Sequence, residues 1–314
     1  MQMEKNPQQT FRWGYAIFVL LFLSILGFIA VGILSLFVGI DVESLSGNVA
    51  LIPIHGVILG SEDSESFFES ATSSLDAVEL IEKAGKNSNI KAIILEINSP
   101  GGSAVASEEI ANAVRKTNKT TVAWIREVGA SGAYWVASSS DYVVASPASI
   151  TGSIGVIGSY LEFEGLLERY NVTYRRLVSG KYKDIGSPYK EMTSEENEIF
   201  QQALDEIRDY FASEVAKNRK LNKKEVDKIA TGLFYLGAQA KELGLVDELG
   251  SKDEVIDYIE KKEGIKADIV EYKKDKTLFD VLSKVLSKQS FFVGKGIGSA
   301  LLDKRTASSI SITA

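Results

Sequence analysis

The chain has 314 residues, of which 45% are hydrophobic and 25% are charged, and its formal net charge is −7. This composition is typical of a globular protein that can bury one large core or two modest ones, and it argues against a disordered or fibrous chain. Phosphate binding needs clustered lysine and arginine, and no basic block occurs in the sequence. Nucleic acid is therefore not an expected partner.

The first element in the chain is a long apolar segment. Residues 13–40, WGYAIFVLLFLSILGFIAVGILSLFVGI, contain no charged side chain. As a helix rising ~1.5 Å per residue, this segment would extend about 42 Å, which exceeds the ~30 Å of a bilayer core. A cleavable signal peptide would have a shorter apolar region followed by a small-x-small site. The sequence therefore predicts a retained transmembrane anchor.

Charges on the two sides of the apolar segment predict its orientation. Lys5 and Arg12 precede it, and Asp41 and Glu43 follow it. The positive-inside rule then places residues 1–12 in the cytoplasm and the rest of the chain on the extracytoplasmic side of the cell membrane. The absence of cysteine is compatible with that location.

Beyond the anchor, short β-branched runs alternate with amphipathic segments. NVALIPIHGVIL is typical of a strand pair or a bent strand, and SLDAVELIEKAGK of a helix. IKAIILEI predicts a buried strand, SAVASEEIANAVRKT a helix, and TTVAWI and DYVVAS two further buried strands. This alternation predicts an α/β domain with largely parallel strands and crossover helices.

From Thr193 onward the sequence becomes mostly helical. The segment TSEE has the capping-box pattern, with Thr193 at the N-cap and Glu196 three residues later. Strands are expected in GLFYLG and ADIVEY. Residues 273–314 are expected to form a C-terminal helix and then a flexible tail, rich in glycine and serine from Gly294. The predicted helices span roughly 194–218, 223–231, 252–263 and 277–288.

The residue types restrict the possible chemistry. With no cysteine and a single histidine, His55, the chain can form neither a thiol nucleophile nor a histidine-rich or cysteine-containing metal site. We expect no metal and no other cofactor. His55 lies at a strand boundary, where a structural role with satisfied hydrogen bonds is expected. A serine nucleophile would then need a lysine base, which must be neutral and therefore lie in an apolar, mostly dry pocket.

Two glycine-rich turns suit acyl transfer. In NSPGG, Gly101 and Gly102 expose backbone N–H groups before a helix, and such groups can hold an oxyanion. In VGASGAYW, Ser131 follows a strand and precedes a helix, as a nucleophile does at a strand-to-helix elbow. The Gly132 N–H can complete the oxyanion pair. Taken singly, each motif could also be an ordinary tight turn or a close-packed helix start.

Four blocks of sequence together resemble one family. NSPGG, GASGAYWVASSSDYVVASPASITGSIGVIG, SGKYKDIGSPYKEMTSEE and GLFYLGAQAKELGLVDELG occur in the order found in the signal peptide peptidase A family. These are membrane-anchored serine-lysine peptidases related to the Clp protease and crotonase fold. The resemblance covers about residues 45–272, the expected peptidase domain. It implies an α/β spiral of ββα units with a helical second half, preceded by one N-terminal transmembrane helix.

The resemblance also implies the roles of five residues. Ser131 matches the nucleophile of the family, and Lys183 in YKD matches its general base. Ser153 in TGSIGV matches a serine that orients the lysine amine. Gly102 matches an oxyanion donor, with the Gly132 amide as its partner.

The choice of base rests on the motif alone, because reasoning from the residues does not separate Lys183 from Lys181. Asp184 adjoins Lys183 and would raise its pKa on contact, so we expect the two side chains to point apart. In the family the serine and the lysine come from different repeats or different subunits. Since this chain holds one copy of each, the resemblance implies a homo-oligomer with active sites shared between subunits.

The function that the resemblance implies is a membrane-bound serine endopeptidase that degrades remnant signal peptides and other apolar membrane-associated peptides. Three alternatives remain open. They are a Clp-class membrane protease acting on a stomatin-like partner, a crotonase-like acyl-CoA enzyme, and a non-catalytic membrane scaffold. The YKD and VDELG blocks favour the peptide peptidase over the first, and the presence of Ser131 and Lys183 argues against the other two.

Overall fold

The computed structural model describes residues 7–38, 47–61 and 71–273. The predicted helix at 277–288 and the predicted tail from Gly294 lie outside the described residues. The helices are α1 (Pro7–Val38), α2 (Ser74–Lys86), α3 (Ala104–Lys116), α4 (Gly132–Ser138), α5 (Glu164–Arg169), α6 (Ser194–Arg219), α7 (Lys223–Ile229), α8 (Gly237–Glu242) and α9 (Lys252–Glu263). The strands are β1 (Val49–Leu59), β2 (Ala71–Ser73), β3 (Ala92–Gly102), β4 (Thr120–Ala130), β5 (Tyr142–Ala145), β6 (Ile150–Gly152), β7 (Phe234–Leu236), β8 (Glu248–Leu249) and β9 (Ile269–Glu271).

The N-terminal apolar segment forms one helix, α1, of 32 residues. Its described side chains are largely exposed and apolar, Phe18 and Phe28 among them. Counted over the residues that the structure describes, no helix combines the length and the hydropathy needed to cross a membrane. The transmembrane anchor therefore stays a prediction.

Residues 47–61 and 71–273 belong to a second compact unit. This unit has an α/β fold built on one mixed β-sheet. The main strand order is β2-β1-β3-β4-β5-β8, and β6 extends the pairing from β4 to β7. Neighbouring strands are parallel except in the β6–β7 pair. Helices connect the central strands, as parallel pairing of consecutive strands requires. The predicted α/β class with a largely parallel sheet is confirmed.

The two faces of the sheet are covered by different helices. Because strand side chains alternate between faces, one set of buried residues packs with α2, α3, α4 and α6, and the other packs with α9. The first set forms the larger core. Trp135 on α4 stacks on Phe211 of α6 with ring centroids 4.7 Å apart, and both side chains are buried. This stack packs α6, the first helix of the predicted helical second half, against α4, the helix that follows Ser131.

Strand β1 bends, and the bend positions the turn that ends β3. The pairing of β1 with β3 changes register between His55 and Val57, where Gly56 has a φ of 70°. Beyond the bend, Ile58 lies opposite Gly102. The bent strand was one of the two sequence interpretations of this segment. Since the pairing continues through NSPGG, β3 runs further than the predicted IKAIILEI.

Several other predicted elements are confirmed. Helix α2 covers the predicted segment, and α6 begins with the predicted capping box, in which Thr193 and Glu196 bond reciprocally. Helix α7 ends at Ile229, two residues before the predicted end. The short elements β2, β6, α5, α8 and β8 were not predicted. Elements of two to six residues carry too few positions to show a hydrophobic period.

An ion pair with a nearly buried arginine links the end of α6 to the sheet. Arg219 bonds Asp247 through two nitrogen–oxygen contacts of 2.8 and 2.7 Å, and the arginine side chain is only 7% exposed. Asp247 also accepts from the backbone N–H of Val143 at 2.8 Å. Beside the pair, Tyr134 of α4 donates its hydroxyl to the Leu245 carbonyl at 2.8 Å, and burial raises the pKa of this phenol.

Replacing Asp247 by alanine tests this clamp. The Arg219 guanidinium would lose its carboxylate in a nearly buried position, so we expect Asp247→Ala to lower the free energy of unfolding by about 3–5 kcal/mol. Glu82→Ala, which breaks the exposed Lys86–Glu82 pair, should cost about 0.5 kcal/mol or less. Urea unfolding followed by circular dichroism measures both. Equal losses for the two variants would contradict a stabilising role of the buried pair.

Candidate active site

Ser131 stands at a sharp turn between strand β4 and helix α4. Its φ and ψ are 53° and −127°, a conformation that a residue with a side chain rarely adopts. Such backbone strain costs of order 1–3 kcal/mol and persists only where the surroundings impose it. Here β4 pairs with β6 up to Ala130 and Gly152, and the Ser131 N–H donates to the Gly152 carbonyl at 2.8 Å. The predicted strand-to-helix elbow is therefore present.

Gly102, the last residue of β3, lies beside this elbow. The residue that follows it bonds β1, because the Ser103 N–H donates to the Ile58 carbonyl at 2.9 Å. A side chain is impossible at this position, because a Cβ on Gly102 would lie 2.1 Å from the Ile58 carbonyl oxygen.

Gly132 is the first residue of α4, and the first N–H groups of a helix have no partner within it. A Cβ on Gly132 would lie 3.4 Å from the Gly102 nitrogen and 2.2 Å from Ser107 Oγ. The two glycine backbones are therefore neighbours beside Ser131. This arrangement can supply the two donors of an oxyanion hole.

A cavity of about 740 Å³ opens in front of the elbow. Ser131, Gly102, Gly132 and Ser153 all contribute to its walls, so the structure brings four of the five predicted site residues together. Ser153 also has a positive φ, 50°, and its hydroxyl donates to the Gly232 carbonyl at 3.2 Å. The remaining walls come from the start of α3, from the residues after β6, from α6 and from the segment before β7.

Lys183 is the predicted site residue that the structure does not bring to Ser131. It lies in a segment between α5 and α6, with its backbone N–H bonded to the Gly180 carbonyl at 3.2 Å. Its side chain is exposed, and it is not among the described residues that line the Ser131 cavity. Within one chain, nucleophile and predicted base are separate.

The charges around Lys183 nevertheless distinguish it from its neighbours. Lys181 bonds both oxygens of Glu195, at 2.8 and 2.6 Å, and this carboxylate raises the lysine pKa. Asp184 is held by the Arg176 guanidinium, with one contact of 2.7 Å, which lowers the pKa of the carboxyl group. Among the described residues, no carboxylate lies within 4.0 Å of the Lys183 amine. Lys183 is thus the lysine of KYKD without an ion pair.

His55 does not have the fully satisfied structural role that the sequence suggested. Its backbone N–H donates to the Thr72 hydroxyl oxygen at 2.9 Å, but its buried Nε2 atom has no hydrogen-bond partner among the described residues. The nearest carboxylate oxygen, Glu96 Oε1, is 3.4 Å from Nε2 and bonds Arg126 at 2.7 Å. His55 does not line the Ser131 cavity.

The sequence did not indicate two features of the site. Ser107 is buried beneath Gly132, outside the cavity lining, and donates its hydroxyl to the Ser103 carbonyl at 2.9 Å. The second feature is one face of α6, whose cavity-lining residues recur three or four positions apart. This spacing was visible in the sequence, but nothing in it indicated which element the face would meet. The α6 residues are Gln201, Leu204, Asp205, Arg208 and Phe211.

The fold and the site together restrict the chemistry that this region could perform. A serine on a strained strand-to-helix turn, with two glycine backbones beside it and an open cavity in front, has the geometry that acyl transfer through a serine would need. No side chain of the described cavity walls supplies a histidine or a lysine as base.

Comparison with known proteins identifies the family. Residues 113–266 match the model of peptidase family S49. A putative protease of Methanocaldococcus jannaschii is 37% identical over 71% of this chain and 72% of its own length. A putative signal peptide peptidase SppA of Enterococcus faecium is 34% identical over 74% of this chain and 69% of its own length. The chain belongs to peptidase family S49, a family of proteases.

Among solved structures, a mutant of the 1510-N membrane-bound stomatin-specific protease is similar to this chain. It is 15% identical, with a TM-score of 0.45, and the match covers 74% of this chain and all of the other.

Gly102→Ala tests the oxyanion geometry. Because the new Cβ would meet backbone atoms of Ile58, no side-chain rotation can relieve the clash, and the N–H must shift. We expect peptidase kcat to fall by about 100-fold or more. Gly165→Ala, at a helical position with open space around it, should stay within about two-fold. Steady-state kinetics on an apolar fluorogenic peptide gives both values, and normal kcat for Gly102→Ala would exclude this amide as a donor.

Proposed function

We propose that this chain is a membrane-bound serine endopeptidase with a Ser131–Lys183 dyad that degrades remnant signal peptides and other apolar membrane-associated peptides. The observation that carries the proposal is the strained turn at Ser131. It holds the hydroxyl in a cavity beside the N–H groups of Gly102 and Gly132. A non-catalytic scaffold would not require a strained serine beside two glycine backbones, so this arrangement supports an enzyme.

In the proposed mechanism, neutral Lys183 accepts the proton of Ser131 while Oγ attacks the peptide carbonyl carbon. The N–H groups of Gly102 and Gly132 stabilise the oxyanion. The lysine then passes the proton to the leaving amine, and water, activated by the same lysine, hydrolyses the acyl-enzyme. Ser153, on the cavity wall, would orient the lysine amine through its hydroxyl.

The base must be a lysine that can lose its proton near neutral pH. Lowering a lysine pKa from ~10.4 to about 7–8 costs about 4 kcal/mol, which only a desolvated site without a carboxylate supplies. Lys181 does not meet this condition, because Glu195 raises its pKa. Lys183 has no such partner among the described residues, which supports its choice as base.

We propose that Lys183 reaches Ser131 of a neighbouring subunit. Within one chain the lysine stands outside the cavity, on a segment of residues 158–192 that we term the arm. The arm exposes large apolar side chains, with Leu161 72% and Leu177 96% exposed. Clustered apolar exposure of this kind is typical of a protein interface. Docking of the arm on a second copy would bury these side chains and desolvate Lys183.

One part of the cavity wall supports substrates with an apolar side chain. Leu204 lines this part, and Trp135 and Phe211 form its floor, so an apolar side chain could lie there. The Enterococcus faecium relative carries the name of a signal peptide peptidase. Signal peptides contain long apolar segments. A substrate of this kind would match the apolar part of the cavity wall and the name of that relative.

The proposed location is the cell membrane. We propose residues 13–40 as a single-pass anchor, with residues 1–12 in the cytoplasm and the peptidase domain, residues 45–272, on the opposite side. Support comes from the charge-free apolar run and from the positive residues that precede it. Residues 273–314 would follow the domain as its C-terminal extension.

Mixing two inactive variants tests the shared dyad. Ser131→Ala and Lys183→Ala should each lose peptidase activity by about 1,000-fold or more, since the members of a dyad act as a unit. Co-expressed in equal amounts, they should regain about one quarter of wild-type activity, because one interface in four then combines an intact serine with an intact lysine. Activity on a fluorogenic apolar peptide and the oligomer mass are the measurements.

Lys181→Ala is the matched control for this experiment and should keep most of the activity. Failure of the mixture to regain activity, at unchanged oligomer mass, would place serine and lysine in one chain. Full activity of either single variant would contradict the dyad itself.

Membrane fractionation tests the anchor. The full chain should sediment with membranes, resist extraction by high salt and by alkaline carbonate, and dissolve in detergent, because a helix of residues 13–40 would be held by the bilayer core. A chain that starts at residue 46 should remain in the supernatant. Release of the full chain by carbonate would contradict a membrane-spanning helix.

A further inference from the structure

One wall of the Ser131 cavity carries charge. Helix α6 directs Asp205 and Arg208 toward the cavity, and these are the charged members of its described lining. The rest of the lining is apolar or uncharged. Because both residues lie on a helix, their positions relative to Ser131 are fixed by the fold and not by a loop.

The two charges differ in their partners. The Arg208 guanidinium bonds the neighbouring Asp209 carboxylate, Nη2 to Oδ1, at 2.9 Å. Asp205 accepts a hydrogen bond from the Gln201 amide at 3.0 Å, but no cation lies within 4.0 Å of it among the described residues. Arg208 therefore has a carboxylate partner, whereas Asp205 has no cation partner among the described residues, so Asp205 is the charged group of this wall that is available to bind a cation.

The spacing between the charge and the apolar part of the cavity fits an extended peptide. Asp205 precedes Phe211 by six residues on α6, which is about 9 Å along the helix axis. Side chains on one face of an extended peptide are ~7 Å apart, two residues along the chain. A lysine or arginine side chain can bridge the small remaining distance. A peptide with an apolar side chain in the part of the cavity that Trp135 and Phe211 border could therefore place a basic side chain at Asp205.

We propose that Asp205 is a specificity-determining residue that selects peptides with a lysine or arginine two residues from the apolar side chain held beside Ser131. This inference rests on the proposed peptidase activity. The substrate class it defines is apolar peptides with a basic residue near the cut, rather than uniformly apolar peptides. Asp205 acts on binding of the peptide and takes no part in bond cleavage.

Paired fluorogenic peptides test the proposal on the full-length protein in detergent. Each pair has the same apolar core and differs only at one position, two residues before or two residues after the apolar anchor, where lysine alternates with Nε-acetyl-lysine. Acetylation removes the charge and keeps the side-chain stem. We expect kcat/KM for the lysine peptide to exceed that of its acetylated partner by about two- to five-fold in one of the two placements. Raising the salt concentration to about 1 M should reduce this ratio.

Variants at Asp205 assign the preference to its charge. Asp205→Asn should bring the ratio to about one, Asp205→Glu should keep it, and Asp205→Lys should invert it. Glu206→Gln is the matched control, since Glu206 is the next residue of α6, is exposed and does not line the cavity. This variant should keep the wild-type ratio.

The outcomes separate the inference from the proposed function. If wild-type protein cleaves both peptides of a pair equally, or if Asp205→Asn keeps the ratio, the role of Asp205 is overturned while the peptidase stands. If Asp205→Asn changes the oligomer mass and lowers activity on both peptides alike, Asp205 binds a neighbouring subunit and the inference is also overturned. If wild-type protein cleaves none of the peptides, the proposed function itself fails.

Discussion

The backbone turn at Ser131 is the constraint on which the rest of the site depends. A serine does not adopt a φ of 53° unless its surroundings impose it. Two features impose it here: the pairing of β4 with β6, and the bond from the Ser131 N–H to the Gly152 carbonyl. Strand pairing in the sheet therefore offsets the free-energy cost of the strained turn. The sheet is in turn stabilised by the two hydrophobic cores on its faces.

Close backbone approach explains why small residues gather around the turn. The end of β3 can reach the start of α4 only if Gly102 and Gly132 lack side chains, because a Cβ on either would overlap atoms of Ile58 or Ser107. The same approach leaves two N–H groups next to the serine hydroxyl. Close packing and the proposed oxyanion hole thus both require glycine at these positions.

The aromatic stack of Trp135 and Phe211 links helix α4, which begins after Ser131, to helix α6.

Ion pairs organise the segment that carries the proposed base. Glu195 pairs with Lys181 and Arg176 pairs with Asp184, and among the described residues the Lys183 amine between them has no carboxylate partner. A lysine base needs this isolation, since an adjacent carboxylate would hold it protonated. The exposed apolar side chains of the arm are the surface that the proposed contact with a neighbouring subunit would bury. An amine that is exposed in one chain can become desolvated in an assembly.

The sequence by itself determined the α/β class, most helices and long strands, the elbow at Ser131 and the glycine turn, because these depend on local periodicity and on turn chemistry. The YKD motif indicated Lys183, but residue reasoning did not separate it from Lys181. Only the tertiary structure distinguished the two lysines, because Glu195 pairs with one of them. It alone also brought Gly102 beside Gly132, placed Asp205 on the cavity wall and separated Lys183 from Ser131. These relations join residues from different elements, and their distances follow from strand register and helix packing, which no local pattern encodes.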